Sequence, residues 1–313
     1  MATSISRRHF LATAATTAAL LGSIALGGCS ISATTDGGNS GSDSGASDQS
    51  GFRSLDDIKN SGKIVIGVFS DKSPFGYVDE NGEYQGYDVE LARQIGTDLG
   101  VDVEFVSTEA ANRVEYLETN KVDLILANFT VTDERAEKVD LAEPYMNVAL
   151  GVVSHKDNVV TDLSQVGDRT VIVISGTTAE TYLTKHNPDL KLEKYDTYAA
   201  AKTAFENNKD AVWANDNTEF IAFAKSSGSD EYVVGIDELG DKDTVAPAVA
   251  KGNSELLDWV NNELYTLGGK KFFHADYEKT LLDTYGADYE DTLVLEPAAK
   301  QRRALPAISA CLI

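Results

Sequence analysis

The chain has 313 residues, with 50 acidic and 27 basic side chains and a formal net charge of −23. So acidic a balance supplies no basic stripe for phosphates, which argues against a nucleic-acid partner, and it disfavours docking on anionic lipid by charge alone. The 42 % apolar fraction, over this length, suits one or two domains with real cores.

Residues 1–29 read as an export signal. Ser6-Arg7-Arg8-His9-Phe10-Leu11 resembles a twin-arginine motif, although paired arginines also suit an ordinary basic leader. The apolar run from about 14 to 26 is shorter than the ~20 residues a membrane span needs. Leu26-Gly27-Gly28-Cys29 resembles a bacterial lipobox, which would make Cys29 the acylated first residue of a mature, membrane-anchored lipoprotein. Residues 30–51 are rich in Ser, Gly, Asp and Thr and are expected to form a flexible tether.

The globular part is expected from Phe52. Lys63 to Val68 is a strand, Ser73-Pro74-Phe75-Gly76-Tyr77 a turn, and Asn81-Gly82 a hairpin turn. A helix opens at Gly86-Tyr87-Asp88, shows Leu91, Ile95 and Leu99 on one face, and closes at Gly100. Residues 101–106 form a strand. Asn112 with Glu115 reads as a capping box for a helix carrying Val114 and Leu117. Val122, Leu124, Ile125 and Leu126 make a strand buried on both faces, and Thr132 caps the helix that follows. A second unit repeats the alternation. Thr170 to Ile174 is a strand, Gly176-Thr177-Thr178 turns into a helix capped by Thr177, residues 210–216 form a strand ending in Asp216, and residues 245–250 another strand. Leu256, Trp259, Val260 and Leu264 share one face of a helix over residues 255–267. Strands alternating with helices imply mostly parallel α/β sheets. Residues 297–313 look unlike the domain and are read as a disordered tail; Cys311 has no role assigned.

Candidate chemistry gathers at the strand ends. Arg135 sits in the first turn of a helix, where a cation opposes the helix dipole. It either pairs with a nearby acid on the surface or leans over the strand end to hold a carboxylate, the place where open α/β sheets bind ligands. The Thr177–Thr178 helix start offers free N–H groups to an anion. Asp216 is either a loop acid or a partner for an ammonium. A ligand carrying both charges on one carbon, an α-amino acid, would bridge the two units and favour their closure. Two cysteines outside any Cys-x-x-Cys pattern and four scattered histidines point to no metal site and no redox pair. No catalytic residue and no cofactor are expected.

Two motifs carry a resemblance. The run from Gly86-Tyr87-Asp88-Val89-Glu90-Leu91 through Leu99, and the segment Asp123 to Arg135 with its Thr-x-Thr-x-x-Arg pattern, resemble the family 3 solute-binding proteins of amino-acid ABC importers. The likeness spans about residues 52–295. Shared runs such as Pro74-Phe75-Gly76-Tyr77, Ala127-Asn128-Phe129-Thr130 and Gly176-Thr177-Thr178-Ala179 are most similar to cysteine-binding members. The resemblance implies a two-lobe, type II periplasmic-binding-protein-like α/β fold, with the ligand cleft between lobes joined by a two-strand hinge. Lobe one would be 52–147 plus 245–296, and lobe two 152–240. It implies that Asn128 and Thr130 bind the amino-acid head, that Arg135 and the N–H groups of Thr177 and Thr178 hold the α-carboxylate, and that Asp216 holds the α-ammonium. Arg113 would sit where dicarboxylate-binding relatives aim an arginine at the ligand side chain, and Phe69, Lys72, Phe75 and Tyr145 would wall the pocket, unless the aromatics simply pack the core. Two departures bear on specificity: Asn215 stands where cysteine-binding relatives tend to carry histidine, and Ile174-Ser175 where they carry Asn-Lys.

The implied function is the extracytoplasmic receptor of an ABC importer for a polar L-amino acid, with cysteine first and aspartate, glutamate or glutamine as alternatives. The receptor would be a monomer anchored at Cys29 outside the cell membrane, delivering its ligand to a permease. The rivals are a dehydratase on the same fold, which would need an acid or base beside the head-group set, and a separate ligand-presenting subunit of a sensor.

Overall fold

The computed structural model describes residues 51–226 and 231–298. The expected export signal, the expected acylation site at Cys29, nearly all of the expected tether and residues 299–313 lie outside the described residues.

Two five-stranded sheets organise the chain. The first has the order Asp102–Ser107, Lys63–Val68, Leu124–Ile125, Ala248–Ala250, Val139–Leu141. Next to its edge runs Lys63–Val68, whose Ile64, Ile66 and Val68 are fully buried and which pairs in parallel on both sides. Parallel neighbours need a crossover, and helix Tyr87–Leu99 supplies one. It buries Leu91, Ile95 and Leu99 at the expected spacing and ends where Gly100 takes the left-handed φ of 76°. Helix Ser254–Gly269 buries Leu256, Val260 and Leu264 in the same core, while Trp259 is only half-buried.

The second sheet has the order Lys191–Tyr195, Thr170–Ile174, Val212–Asp216, Met146–His155, Tyr232–Val245. Val152, Val171, Val173, Leu183 and Ala214 fill a separate core against it. Strand Met146–His155 belongs to both lobes. Its Met146 and Val148 pack in the first core, and Leu150 and Val152 in the second. Tyr232–Val245 runs antiparallel beside it, through three register shifts, and brings Val245 back to the first core. Between the lobes Phe69 meets Tyr198 edge-on at 5.3 Å. A small third sheet of Asp71–Lys72, Gly76–Val78 and Tyr84–Gln85 carries Lys72 to the same place.

Two local expectations are corrected, and one strand is added. Asn112 is not a helix cap: a 3₁₀ turn over Ala110–Asn112 precedes helix Arg113–Glu118, Asn112 already has helical φ and ψ, and its side chain donates to Glu109 at 2.9 Å. Residues 245–250 are not one strand. Pro247 has no N–H for a ladder, so one strand stops at Val245 and another starts at Ala248. The long strand Tyr232–Val245 has no counterpart in the sequence-based reading.

Candidate functional site

The site is built on the end of strand Leu124–Ile125. Leu126 still donates to Gly67, and then Asn128 takes a left-handed φ of 44°. This conformation is held from behind. Asp88, in the first turn of helix Tyr87–Leu99, accepts the Asn128 N–H at 2.7 Å and the Tyr145 hydroxyl. Burial pushes the Asp88 carboxyl up to about 6, against the pull of those two hydrogen bonds. Thr132 caps helix Asp133–Lys138 by accepting from the Arg135 N–H, as its position in the sequence implies.

Two arginines converge here. Arg113 is buried and committed to main-chain carbonyls: Nε donates to Ala110, Nη1 to Ala127 and Asn128, and Nη2 to Gly176. It therefore braces the strand end across the cleft, with four of its five N–H donors engaged by main-chain carbonyls. Arg135 is half-buried, donating to the carbonyls of Thr130 at 2.6 Å and Gly176 at 3.1 Å. The Phe129 ring lies between the two guanidiniums, 4.7 Å from Arg113 and 4.4 Å from Arg135. Burial and the neighbouring Arg113 push Arg135 down to about 9, which still leaves it charged at neutral pH.

The second lobe answers with the turn after Thr170–Ile174. Gly176 has a φ of 77°, and a Cβ there would come within 2.4 Å of Ala111 Cα in the opposite lobe. No other residue satisfies both the angle and the approach. Thr177 caps helix Thr178–His186 through the Glu180 N–H, and Glu180 reaches back to the Gly176 N–H. The Thr177 N–H is spent on Ile174, so of the two N–H groups expected for an anion only that of Thr178, at the first helical position, has no acceptor within the helix. Phe129, Arg135, Gly176, Thr178, Tyr182 and Asp243 line a cavity of about 370 Å³.

Deeper in the cleft, Lys72 is no mere wall. Its Nζ is fully buried, 2.8 Å from Asp216 Oδ2 and 2.6 Å from Asn128 Oδ1. Phe69, Phe75 and Tyr198 surround it, their centroids 5.7, 5.5 and 4.8 Å away. Burial works to lower the Lys72 ammonium, but Asp216 overrides it and holds the group above the ordinary lysine range. Asp216 thus stands ready for an ammonium, and the ammonium it holds is this protein's own. Tyr145 and Phe75 are core residues one layer behind: Tyr145 stacks on Phe273 at 5.9 Å and Phe75 faces Tyr285 at 6.3 Å.

Four residues of the site were not foreseen as such: Phe129, Asp88, Tyr198 and Glu219. Glu219 lies in the first turn of the helix that follows Asp216. Buried side-chain atoms without a protein partner collect at this junction, on Asn128, Asn215, Thr218 and Glu219. Among the described residues no cluster of His, Cys, Asp and Glu could hold a metal ion, and no helix is long and apolar enough to cross a membrane.

The model of the bacterial extracellular solute-binding proteins, family 3, matches residues 64–279. The ABC transporter glutamine-binding protein of Bacillus subtilis is 27 % identical over 250 residues, covering 77 % of this chain and 89 % of that protein. Among solved structures, the L-cysteine solute receptor of Neisseria gonorrhoeae is 49 % identical, with a TM-score of 0.76 over 78 % of this chain and all of the receptor. The cysteine-binding protein of Campylobacter jejuni is 46 % identical, with a TM-score of 0.75 over 77 % of this chain and 98 % of that one. An ancestral amino-acid-binding protein, a precursor of cyclohexadienyl dehydratase, is 30 % identical, with a TM-score of 0.66 over 72 % and 98 % of the two chains.

Proposed function

The chain belongs to the bacterial extracellular solute-binding proteins, family 3, an amino-acid solute-binding protein with the two-lobe type II fold, and from that premise we propose that it captures L-cysteine for an ABC permease. One observation carries the reading: Arg135 and Asp216 lie in opposite lobes, near enough for the Asp216 carboxylate to act on the Arg135 charge, and their charges are complementary to the two ends of an α-amino acid. The carboxylate goes to Arg135 and the Thr178 N–H. The ammonium goes to Asp216, with Asn128 and Thr130 beside it. The cavity has the size of a small-ligand site. Cysteine comes first because two receptors named for it are 49 % and 46 % identical to this chain, well above the 27 % of the glutamine-binding relative. Asn215 weighs the other way, as a departure beside Asp216. Acylation at Cys29 would hold a monomeric receptor at the outer face of the cell membrane, next to its permease.

Calorimetric titration of the purified protein with the twenty amino acids tests this. L-cysteine is expected to bind most tightly, and Arg135→Ala to weaken it by about a hundredfold or more, since one charged bidentate contact is lost. Failure of every amino acid to bind below about millimolar would overturn the reading. The relatives are binding proteins, yet the buried Glu219 puts one acid near the head-group set, so turnover of a prephenate-like substrate is the assay that would favour a dehydratase.

A further inference from the structure

We infer that Lys72 is an internal counter-ion handed from Asp216 to Glu219 when a ligand ammonium arrives, with Glu219 releasing its proton to solvent. The inference rests on the placement of the ligand ammonium at Asp216. In the structure that carboxylate already holds a buried ammonium, the Lys72 Nζ at 2.8 Å. Two ammonium groups around one carboxylate repel in a low-dielectric cleft. Lys72 has no exposed surface, and a buried charge without a partner is strongly unfavourable. A displaced Lys72 must therefore find another anion inside the protein.

Glu219 is that anion. It lies in the first turn of helix Asn217–Ser226, which begins directly after Asp216 ends its strand. It is 9 % exposed, and its Oε2 has no partner. It already feels the Lys72 charge. The other groups that face it are Asp71 on the strand of Lys72, Asp216, Lys202 on helix Tyr198–Asn207, and the Tyr198 and Tyr285 hydroxyls. Lys202 is partly engaged with Glu206 on its own helix and with the Phe223 ring. Burial holds the Glu219 carboxyl up at about 7, opposed by Lys72. The group is thus substantially protonated near neutrality until a cation comes closer. The balance is simple: the carboxylic acid becomes a carboxylate, its proton passes to bulk solvent, and the ammonium of Lys72 keeps its charge. The unpartnered oxygens of Asn215 and Thr218 at the same junction offer the moved ammonium further acceptors.

The test is calorimetric titration of the whole protein with L-cysteine, or with whichever of the twenty amino acids binds. Two buffers of different ionisation enthalpy at each pH give the protons released per ligand. Release of about half to one proton is expected near pH 6.5, falling toward zero above about pH 8.5. In Glu219→Gln the release should disappear at every pH while binding persists in weakened form. Lys72→Met should also lose it, because no cation remains to be displaced. Wild-type binding without proton release between about pH 5.5 and 7.5 would overturn the handover and leave the head-group reading intact. Undiminished release from Glu219→Gln would assign the proton elsewhere, such as a cysteine thiol, and would overturn it too. Absence of binding by any amino acid would overturn the head-group reading and the handover with it.

Discussion

Replacing Asp276 with asparagine is expected to stabilise the protein at neutral pH and to change little in acid. Asp276 lies in helix Phe272–Thr280, 4 % exposed, with one carboxyl oxygen unpartnered and the other 3.3 Å from the Thr280 hydroxyl. Burial, aided by the negative charge of Glu90, pushes it up to about 9. The folded protein therefore binds a proton there at pH 7 that the unfolded chain, with an ordinary carboxyl near 3.8, has released. Because the folded value is the raised one, the stability is fully present below about pH 4 and is lost as pH rises toward 9. Each unit between the two values costs about 1.4 kcal/mol, which sets a ceiling of about 4 kcal/mol at pH 7. An asparagine has nearly the same shape and no proton to take up. With part of the ceiling lost to local relaxation, Asp276→Asn should gain about 2–4 kcal/mol at pH 7, or about 5–15 °C in the melting midpoint. Urea unfolding of both proteins at pH 4 and pH 8 reads it. A gain of equal size at the two pH values, or none at pH 8, would show that the carboxyl is not held neutral in the fold.

Gly176→Ala should weaken ligand binding tenfold or more, because its Cβ meets Ala111 of the opposite lobe and its backbone is left-handed; small-angle scattering with ligand present should then show a larger radius of gyration. Tyr145→Phe removes a donor that favours the ionised form of Asp88, so it should cost about 1–2 kcal/mol at pH 7.5 and less at pH 5, where Asp88 is protonated in both proteins. Equal costs at the two pH values would separate Tyr145 from Asp88. Phe129→Leu removes the ring between two guanidiniums and should lower unfolding stability by about 1–2 kcal/mol; an unchanged urea midpoint would mean the ring contributes only its volume.

Much of this fold can be read from periodicity and caps. Helix Tyr87–Leu99 announces itself through Leu91, Ile95, Leu99 and Gly100, and strand Thr170–Ile174 through an uninterrupted β-branched run. Strand Tyr232–Val245 does not, because Gly235, Asp237, Gly240 and Asp241 give it the composition of a loop. Its extended form comes from pairing with Met146–His155, which no local pattern encodes. The site divides likewise. Arg135 stands out as a cation in the first turn of a helix, and Gly176 and Asp216 as a flexible and a charged residue at or just past the end of an apolar strand. Asp88 reaches Asn128 across 40 positions and Lys72 reaches Asp216 across 144, so their partnership exists only after folding. For the same reason the sequence suggests Lys72 as a pocket wall and leaves Asp216 free, whereas in the structure each is the other's counter-ion. Arg113 differs again: an arginine's type says nothing about how many of its donors the fold engages, and here main-chain carbonyls take four of the five.

The paired crossing strands have a mechanical consequence. Their ladder is interrupted at three places, between Val234 and Ile236, Ile236 and Leu239, and Leu239 and Asp243, while regular pairing resumes at both ends. Bulged ladders twist more readily than regular ones. Elastic compliance is thereby concentrated in a short torsion bar, clamped at one end by each core. Such a bar has one soft direction, rotation about its own length, and resists shear and stretch through the hydrogen bonds that stay made. Motion at such a hinge would turn one lobe against the other about a single axis.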